Sequence, residues 1–380
     1  MSSGQDFTIQ LKVPHRIRFT RSAFSPENDC LWDLLEIRPF TQFLVLVEDT
    51  LLECFPKLSE QIAESFAQRD NGQRLHLASL PGGEMSKRSD SVWRSAVDQI
   101  ELCGIDRHSY VFAIGGGAFL DVVGFAAATA HRGIRLVRFP TTTLSQDDSG
   151  VGVKNGINLY GKKNFLGSFA VPYAVVNDFD FLETQPEGAK VAGLVEAVKV
   201  AAVKDSDFFV WIEKNVHKLR NFQPAEIEEV IERSALLHAA HIAEGGDPFE
   251  QGSSRPLDYG HWSAHKLEQL TDFALSHADA VSIGICIDSI YAERIGLLQE
   301  GVATRIVQVL RELGLPRWHD ALDLRDEDSS ERQVVLGLEE FREHLGGELT
   351  VLLLKDLGEG IDVHALNISV LEEVIASLAP

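Results

Sequence analysis

Read as a sequence, the chain is an α/β domain of the dinucleotide-binding type with a mostly parallel sheet, followed by a mainly α-helical, metal-binding domain. Three observations predict this. Short apolar runs alternate with amphipathic ones over the first half, and a glycine-rich turn, Gly115-Gly-Gly117, directly follows one of those runs. The second half is nearly all helical in pattern and carries a scattered set of ligand-type residues: Glu196, His261, His265 and His277.

The elements follow in order. Gln42-Phe-Leu-Val-Leu-Val47 reads as a strand, residues 51–69 as a helix, Arg74-Leu-His-Leu-Ala78 as a strand, residues 89–104 as a helix and Tyr110-Val-Phe-Ala-Ile114 as a strand. This βαβαβ pattern continues through a helix to Ala130 and the β-like Ile134-Arg-Leu-Val-Arg-Phe139, which predicts a doubly wound sheet. After about residue 184 the texture changes, so the expected domains are 1–184 and 185–380. From Pro186 to about residue 322 the pattern is helical, interrupted by the loop 244–254. A β-like run, Leu349-Thr-Val-Leu-Leu-Leu354, and a helix from about Ser369 close the chain, with no internal repeat or low-complexity tract.

Composition bounds the function. At 380 residues, 44% hydrophobic and 24% charged, the chain is long enough for two cores and has the make-up of a globular protein. With 57 acidic against 35 basic side chains the net charge is -22, which repels a phosphodiester backbone and argues against nucleic-acid binding. An anionic small substrate then needs cations concentrated locally. Met1 to Gln10 lacks the basic start and apolar stretch of a signal peptide, and no run reaches the roughly 18 apolar residues of a membrane helix, so a soluble, cytoplasmic protein with no membrane partner is expected. Cys30, Cys54, Cys103 and Cys286 are dispersed without CxxC spacing and read as reduced, buried thiols.

Several segments carry chemistry, each beside a plainer reading. Gly115-Gly-Gly117 opens a helix after a strand, where backbone N–H groups and the helix dipole receive a pyrophosphate; a plain tight turn uses glycine too. Asp121 lies four residues on, where the dipole also favours a solvated acid. Glu196 and Lys199 share a helix face, as a surface ion pair would. His261 and His265 are four apart on one face; such pairs also arise by chance. One carboxylate with two imidazoles can hold a divalent metal and leave a coordination position open for a substrate oxygen. The polar, glycine-rich segment 146–158, with Gly161-Lys-Lys-Asn164, reads as a long functional loop whose lysines, with Arg132, either supply the missing cations or are simply solvated.

Taken jointly, the segments resemble the sugar phosphate cyclases, the family of 3-dehydroquinate synthase, over nearly the whole chain. Gly82-Gly-Glu-Met-Ser-Lys87 is similar to the family's GExxK loop, Gly115 to Asp121 to its GGGxxxD turn, and Phe125 to Gly133 to its FAAxxxxRG helix end. Pro140-Thr-Thr142 with Asp148 to Lys154 resembles its PTT...DSxxGxK run. The resemblance implies an NAD-binding first domain and a metal- and substrate-binding second one, with Glu196, His261 and His277 as ligands of Zn2+, or of Co2+, and His265 as a neighbour outside the ligand set. It further implies that Asp49, Glu84, Lys87, Gly115, Gly116, Gly117, Asp121, Thr141 and Thr142 face NAD, and that Arg132, Asn164 and Lys154 surround the phosphate and hydroxyls of a sugar phosphate. Lys163, Lys199 and Glu250 would line the site with Asp148, Asp258 and His265. The implied reaction is a lyase cycle: NAD takes a hydride from a secondary alcohol, phosphate leaves by β-elimination, the hydride returns, the ring opens and an aldol attack closes a carbocycle. A homodimer is implied as well.

Departures from the family pattern bear on the substrate. Dehydroquinate synthases read RxLLNxGH before the metal histidine, the arginine pairing with a substrate carboxylate. Here Ser254 stands in that place and Asp258 replaces the asparagine, which predicts a substrate without a carboxylate. The RPxD pattern resembles the valiolone-forming branch, which uses sedoheptulose 7-phosphate. Its 2-epi-5-epi-valiolone synthases resemble one another in carrying proline where this chain has His265, so the expectation is a 2-epi-valiolone synthase-like enzyme. Arg255 lies one residue from the arginine position and keeps 3-dehydroquinate synthase as the alternative. Arg342 or His344 stands near a KK pair of dehydroquinate synthases. An NAD- and metal-dependent polyol dehydrogenase and a non-catalytic binding relative are the other two readings.

Overall fold

The computed structural model describes residues 4–9, 11–69, 73–88, 90–160, 162–245, 249, 258–327, 330–344 and 347–380. They form two compact units, Met1–Ile114 with Ala118–Phe139 and Val153–Asn177, and Gly115–Gly117 with Pro140–Gly152 and Asp178–Pro380. The turn at 115–117 and the loop at 140–152, which a single cut near residue 184 leaves in the first domain, thus belong with the second unit.

The first unit is built on strands β1 (Ile17–Thr20), β2 (Gln42–Glu48), β3 (Arg74–Leu80), β4 (Tyr110–Gly115) and β5 (Arg135–Pro140), a hairpin of β6 (Lys154–Leu159) and β7 (Lys162–Phe169), and β8 (Ala174–Asp178). Six of them form one sheet in the order β1-β8-β5-β4-β2-β3, in which β2 runs parallel to β3 and β4, and β5 to β8. β2 and β4 are continuous apolar runs because helices cover both faces of such a sheet. Its helices are α1 (Asp49–Cys54), α2 (Leu58–Ala67), α3 (Met85–Arg88), α4 (Asp90–Leu102) and α5 (Gly117–Thr129). Phe119, Val122, Val123 and Ala126 of α5 pack with Leu44, Leu46, Val111 and Ala113. β2 lies between β3 and β4, so the direction of winding reverses there, the place where open α/β sheets bind ligands beyond their carboxyl ends.

Two expectations change. The helix expected over 51–69 is two, α1 and α2, because Pro56 lacks an N–H and its ring clashes with the preceding turn. The long polar loop expected over 146–158 is a π-helical turn, Ser145–Ser149, followed by the antiparallel β6–β7 hairpin with Lys154 opposite Phe169 and Ile157 opposite Leu166. Asn155, Gly156 and Asn158 in β6 hide the period-2 alternation that marks a strand.

The second unit holds α6 (Glu187–Ala192), α7 (Val195–Lys204), α8 (Ser206–Arg220), α9 (Pro224–Glu244), α10 (His261–Leu270), α11 (His277–Arg294), α12 (Val302–Leu313), α13 (Gln333–His344) and α14 (Ile368–Leu378), with one hairpin, β9 (Val351–Asp356) and β10 (Glu359–Val363). α7 and α11 are buried along almost their whole length and form its centre. The cysteines are free, but only Cys286, inside α11, is buried; Cys30 and Cys103 are half-buried and Cys54 is exposed. Among the described residues no helix is long and apolar enough to cross a membrane.

A buried carboxylate and imidazole cluster as candidate active site

Glu196 and Lys199, three apart on α7, are 1% and 2% exposed, so the surface ion pair is ruled out: the pair is internal, with Lys199 Nζ against Glu196 Oε2. The other oxygen, Oε1, accepts no hydrogen bond and lies 4.0 Å from His261 Nε2 and 3.7 Å from His277 Nε2. One ligand atom from each of Glu196, His261 and His277 falls within 4.8 Å of the others. A buried carboxylate oxygen left without a donor, faced by two imidazole nitrogens, fits a divalent cation.

Both histidines are oriented for this. His261 opens α10 after Gly260, whose φ of +77° only glycine adopts without strain. His261 Nδ1 is 3.0 Å from Tyr259 O. A carbonyl only accepts, so Nδ1 carries the proton and Nε2 keeps its lone pair. Burial, the Lys199 ammonium and the neighbouring imidazoles hold the His261 pKa well below the usual histidine range, which keeps it neutral. His277 opens α11 after Ser276, whose hydroxyl caps Asp279 N–H, and its Nδ1 lies 3.2 Å from Glu268 Oε2. A carboxylate on the far nitrogen fixes the ring of a metal-ligating histidine. The His265 ring sits 5.5 Å from that of His261 and 6.2 Å from that of His277, outside the three-atom set.

The π-helical turn brings further acids to the cluster. Asp148 Oδ1 is 2.8 Å from His238 Nδ1, on α9. Burial alone would raise Asp148, yet the Lys199 ammonium and His238 hold it well below the usual carboxylate range. Lys199 is raised in turn, against burial, by Glu196 and Asp148. Asp147 is wholly buried with neither oxygen hydrogen-bonded, and burial, then Asp148 and Glu196, push it well above that range. Asp258 is half-buried; its carbonyl accepts from His261 N–H at 2.9 Å, and its side chain adds to the negative field on Lys199.

The expected cofactor residues each follow a strand of the first unit's sheet: Asp49 after β2, Gly82 to Lys87 after β3, Gly115 to Gly117 at the end of β4, Thr141 and Thr142 after β5. Lys87 is buried and pairs with Asp121 at 2.7 Å, so Asp121 is not a free solvated acid; Glu84 is exposed. A Cβ at Gly117 would stand 2.6 Å from Ser149 Oγ, and Thr141 N–H donates to Gly115 O at 3.1 Å. Arg132, Lys154 and Asn164 are exposed and Lys163 half-buried. Arg138, fully buried and lowered by burial to about 10, donates to Lys154 O at 3.1 Å and Asn155 Oδ1 at 2.6 Å, which pins the backbone that carries Lys154. Glu250, Ser254 and Arg255, and the side chain of His344, lie outside the described residues. Arg342 is engaged by Glu339 and by Gly347 O at 2.8 Å.

Four residues of the cluster escaped the sequence reading: Asp147, His238, Glu268 and Asp288. Asp147 lies in the polar segment 146–158 that reads as functional, and Glu268 stands seven residues after His261 and thus on the same helix face; His238 and Asp288 have no such signal. Asp288, on α11, accepts from Gly260 N–H at 2.9 Å and Trp262 Nε1–H at 2.8 Å; burial raises its carboxyl to about 7 against those two donors.

Comparison with known proteins agrees with this construction. Residues 77–192 match the 3-dehydroquinate synthase N-terminal family and residues 193–331 the 3-dehydroquinate synthase C-terminal family. The chain is 32% identical over 371 residues to the 3-dehydroquinate synthase of Acetivibrio thermocellus, covering 97% of this chain and 99% of that one. Among solved structures it is similar to the 2-epi-5-epi-valiolone synthase of Streptomyces hygroscopicus subsp. jinggangensis with NAD+ and Zn2+ bound: TM-score 0.86, 26% identity, 98% and 99% of the two chains covered. A 2-deoxy-scyllo-inosose synthase complexed with carbaglucose-6-phosphate, NAD+ and Co2+ shares the fold at TM-score 0.79 and 22% identity, over 95% and 96% of the chains. The chain belongs to the 3-dehydroquinate synthase family of sugar phosphate cyclases.

Proposed function

We propose that this protein is an NAD- and metal-dependent sugar phosphate cyclase that converts sedoheptulose 7-phosphate into a 2-epi-valiolone-type cyclitol with release of phosphate. Glu196, His261 and His277 would hold the metal, zinc or cobalt. Asp49, Glu84, Lys87, Gly115, Gly116, Gly117, Asp121, Thr141 and Thr142 would hold NAD, with the backbone at the start of α5 receiving the pyrophosphate. When bound, the metal polarises a substrate oxygen and NAD removes and returns a hydride. Asp148, kept ionised by Lys199 and paired with His238, would accept a hydrogen bond from a substrate hydroxyl and so orient it. Arg132, Lys154, Lys163 and Asn164 supply the cations and donors that a phosphate needs in a chain of net charge -22.

The charge balance of the cluster carries the substrate assignment. Its ammonium, Lys199, is already matched by Glu196, and Asp148 and Asp258 add further negative charge around it. A bound divalent metal offsets these acids, and a substrate carboxylate brought beside Asp258 would meet like charge. A ketol and hydroxyl head group can instead donate hydrogen bonds to Asp258. The second reading, 3-dehydroquinate synthase, is favoured by the 32% identity to a relative of that name.

Phosphate release separates the two. Purified protein with NAD and Zn2+ or Co2+ is incubated with sedoheptulose 7-phosphate or with the seven-carbon carboxylate substrate of dehydroquinate synthases. Turnover of the first alone supports the proposal, and turnover of the second alone replaces it with the second reading. Net NADH accumulation on simple polyols would point to a dehydrogenase. A homodimer is part of the proposal, and light scattering on the same sample tests it.

A further inference from the structure

We propose that Asp288 is a positioning residue for His261, acting on its ring through the peptide group that joins Tyr259 to Gly260. The inference rests on reading Glu196, His261 and His277 as metal ligands. Asp288 is 1% exposed and lies on α11, about three turns after His277 begins that helix. Its Oδ2 accepts from Gly260 N–H at 2.9 Å. The carbonyl of the same peptide group, Tyr259 O, accepts from His261 Nδ1–H at 3.0 Å.

A trans peptide directs its N–H and C=O to opposite sides, so the two bonds run in series from carboxyl to imidazole. A carboxyl on the N–H polarises the peptide and strengthens its carbonyl as an acceptor. A stronger acceptor on Nδ1–H fixes the tautomer and makes Nε2 the better donor to a metal. The other oxygen, Oδ1, accepts from Trp262 Nε1–H at 2.8 Å, so the carboxyl is held at both ends and cannot turn away. The turn lies directly against α11: a Cβ at Gly284 would stand 1.9 Å from Gly260 O, so the close approach requires glycine at that position. One helix thus carries the first imidazole at its start and aims the second from its middle. His277 has its own orienting acid in Glu268, at 3.2 Å, so each imidazole ends on a carboxyl, one directly and one through a peptide.

The test is equilibrium metal binding by the full-length, metal-stripped protein, read by Zn2+ competition against a chromogenic chelator and by the visible absorption of bound Co2+. Asp288→Asn turns an amide NH2 toward one of the two N–H donors; Zn2+ affinity is expected to fall about tenfold or more and the Co2+ band to shift. Trp262→Phe keeps the Gly260 contact and frees the other oxygen, for an expected loss of about three- to tenfold. Ser289→Ala, next to Asp288 on the same helix, removes the hydroxyl that meets Tyr259 OH at 2.5 Å, leaves both hydrogen bonds of the relay in place and is expected to weaken metal binding less than Asp288→Asn does. Wild-type affinity and spectrum in Asp288→Asn overturn the proposal. So does an equal weakening in Asp288→Asn and Ser289→Ala, which would reduce the effect to packing of α11. Should Asp288→Asn not fold, the decision passes to Trp262→Phe, and unchanged affinity there is the negative result. A wild-type protein that takes up neither ion overturns the ligand reading itself and the relay with it, an outcome distinct from a metal-binding wild type whose variants do not change.

Discussion

The Glu196 cluster and the β6–β7 hairpin both bring charge to a protein that is strongly acidic overall, but they do so in opposite ways. In the cluster, Glu196 and Lys199 are desolvated, and each meets its partner within the fold before any ligand arrives. On the hairpin, the side chains of Lys154 and Asn164 are exposed, and the fold holds the backbone beneath Lys154 through the buried Arg138 and that of Asn164 through Asn158 Oδ1. The first arrangement has its desolvation cost met by folding; the second leaves that cost to ligand binding. Stability should therefore report on the cluster, and substrate affinity on the hairpin.

The sharpest way to break this contrast is Lys199→Met. It leaves Glu196 buried without its counter-ion, and the metal-free protein is expected to lose about 3–5 kcal/mol in urea unfolding. Adding Zn2+ should then raise the unfolding midpoint by more than it does in the wild type, since a cation beside Glu196 replaces the missing charge. A variant that unfolds like the wild type would mean the cluster is not preorganised. Gly284→Ala comes next. Its Cβ would meet backbone, Gly260 O, which cannot rotate away, so about 1–3 kcal/mol is expected, together with a loss of metal affinity as the His261 turn is displaced.

The same contrast governs what the sequence could disclose. β2 and β4 are legible because both faces are covered and the apolar run is unbroken. His261 and His265 are legible as a pair because helix periodicity alone puts four-apart residues on one face. Glu196 with Lys199 was equally visible, but its burial was not, since an i,i+3 ion pair reads the same in water as in a core. His238 on α9 and Asp288 on α11 reach the cluster through packing between helices far apart in the chain, and no local spacing encodes that. The π-helical turn that sets Asp147 and Asp148 side by side has no spacing signature of its own, and the hairpin after it reads as a loop because β6 lacks apolar alternation.

Asp147→Asn sharpens the comparison from within the cluster, because here a buried acid has no partner. Burial raises its pKa above the ordinary 3.8, so above about pH 4 the folded chain keeps a proton that the unfolded chain has lost. Stability from this group is present below pH 4 and declines as pH rises toward the folded pKa. The nearly isosteric, uncharged variant escapes that decline. It is expected to gain on the wild type as the pH rises from about 4.5 to about 8, read from urea midpoints at the two pH values. A variant less stable than the wild type at pH 8 would show that Asp147 has an ionised role in the fold.

On the hairpin side, Lys154→Met should change stability least. The side chain is exposed, and its residue is anchored by a backbone carbonyl that any side chain leaves in place, so the unfolding midpoint should stay within about 0.5 kcal/mol of the wild type. Zn2+ affinity should be unchanged as well. If Lys154 meets the substrate phosphate, the cost appears in KM for the sugar phosphate, by about tenfold at low ionic strength, where the lost Coulomb attraction is least screened. Raising the salt should then narrow the gap between variant and wild type, because the wild type loses an attraction that the variant never had. An unchanged KM removes Lys154 from the phosphate site, and a midpoint lowered by more than 1 kcal/mol would place the residue in the fold rather than in front of a ligand.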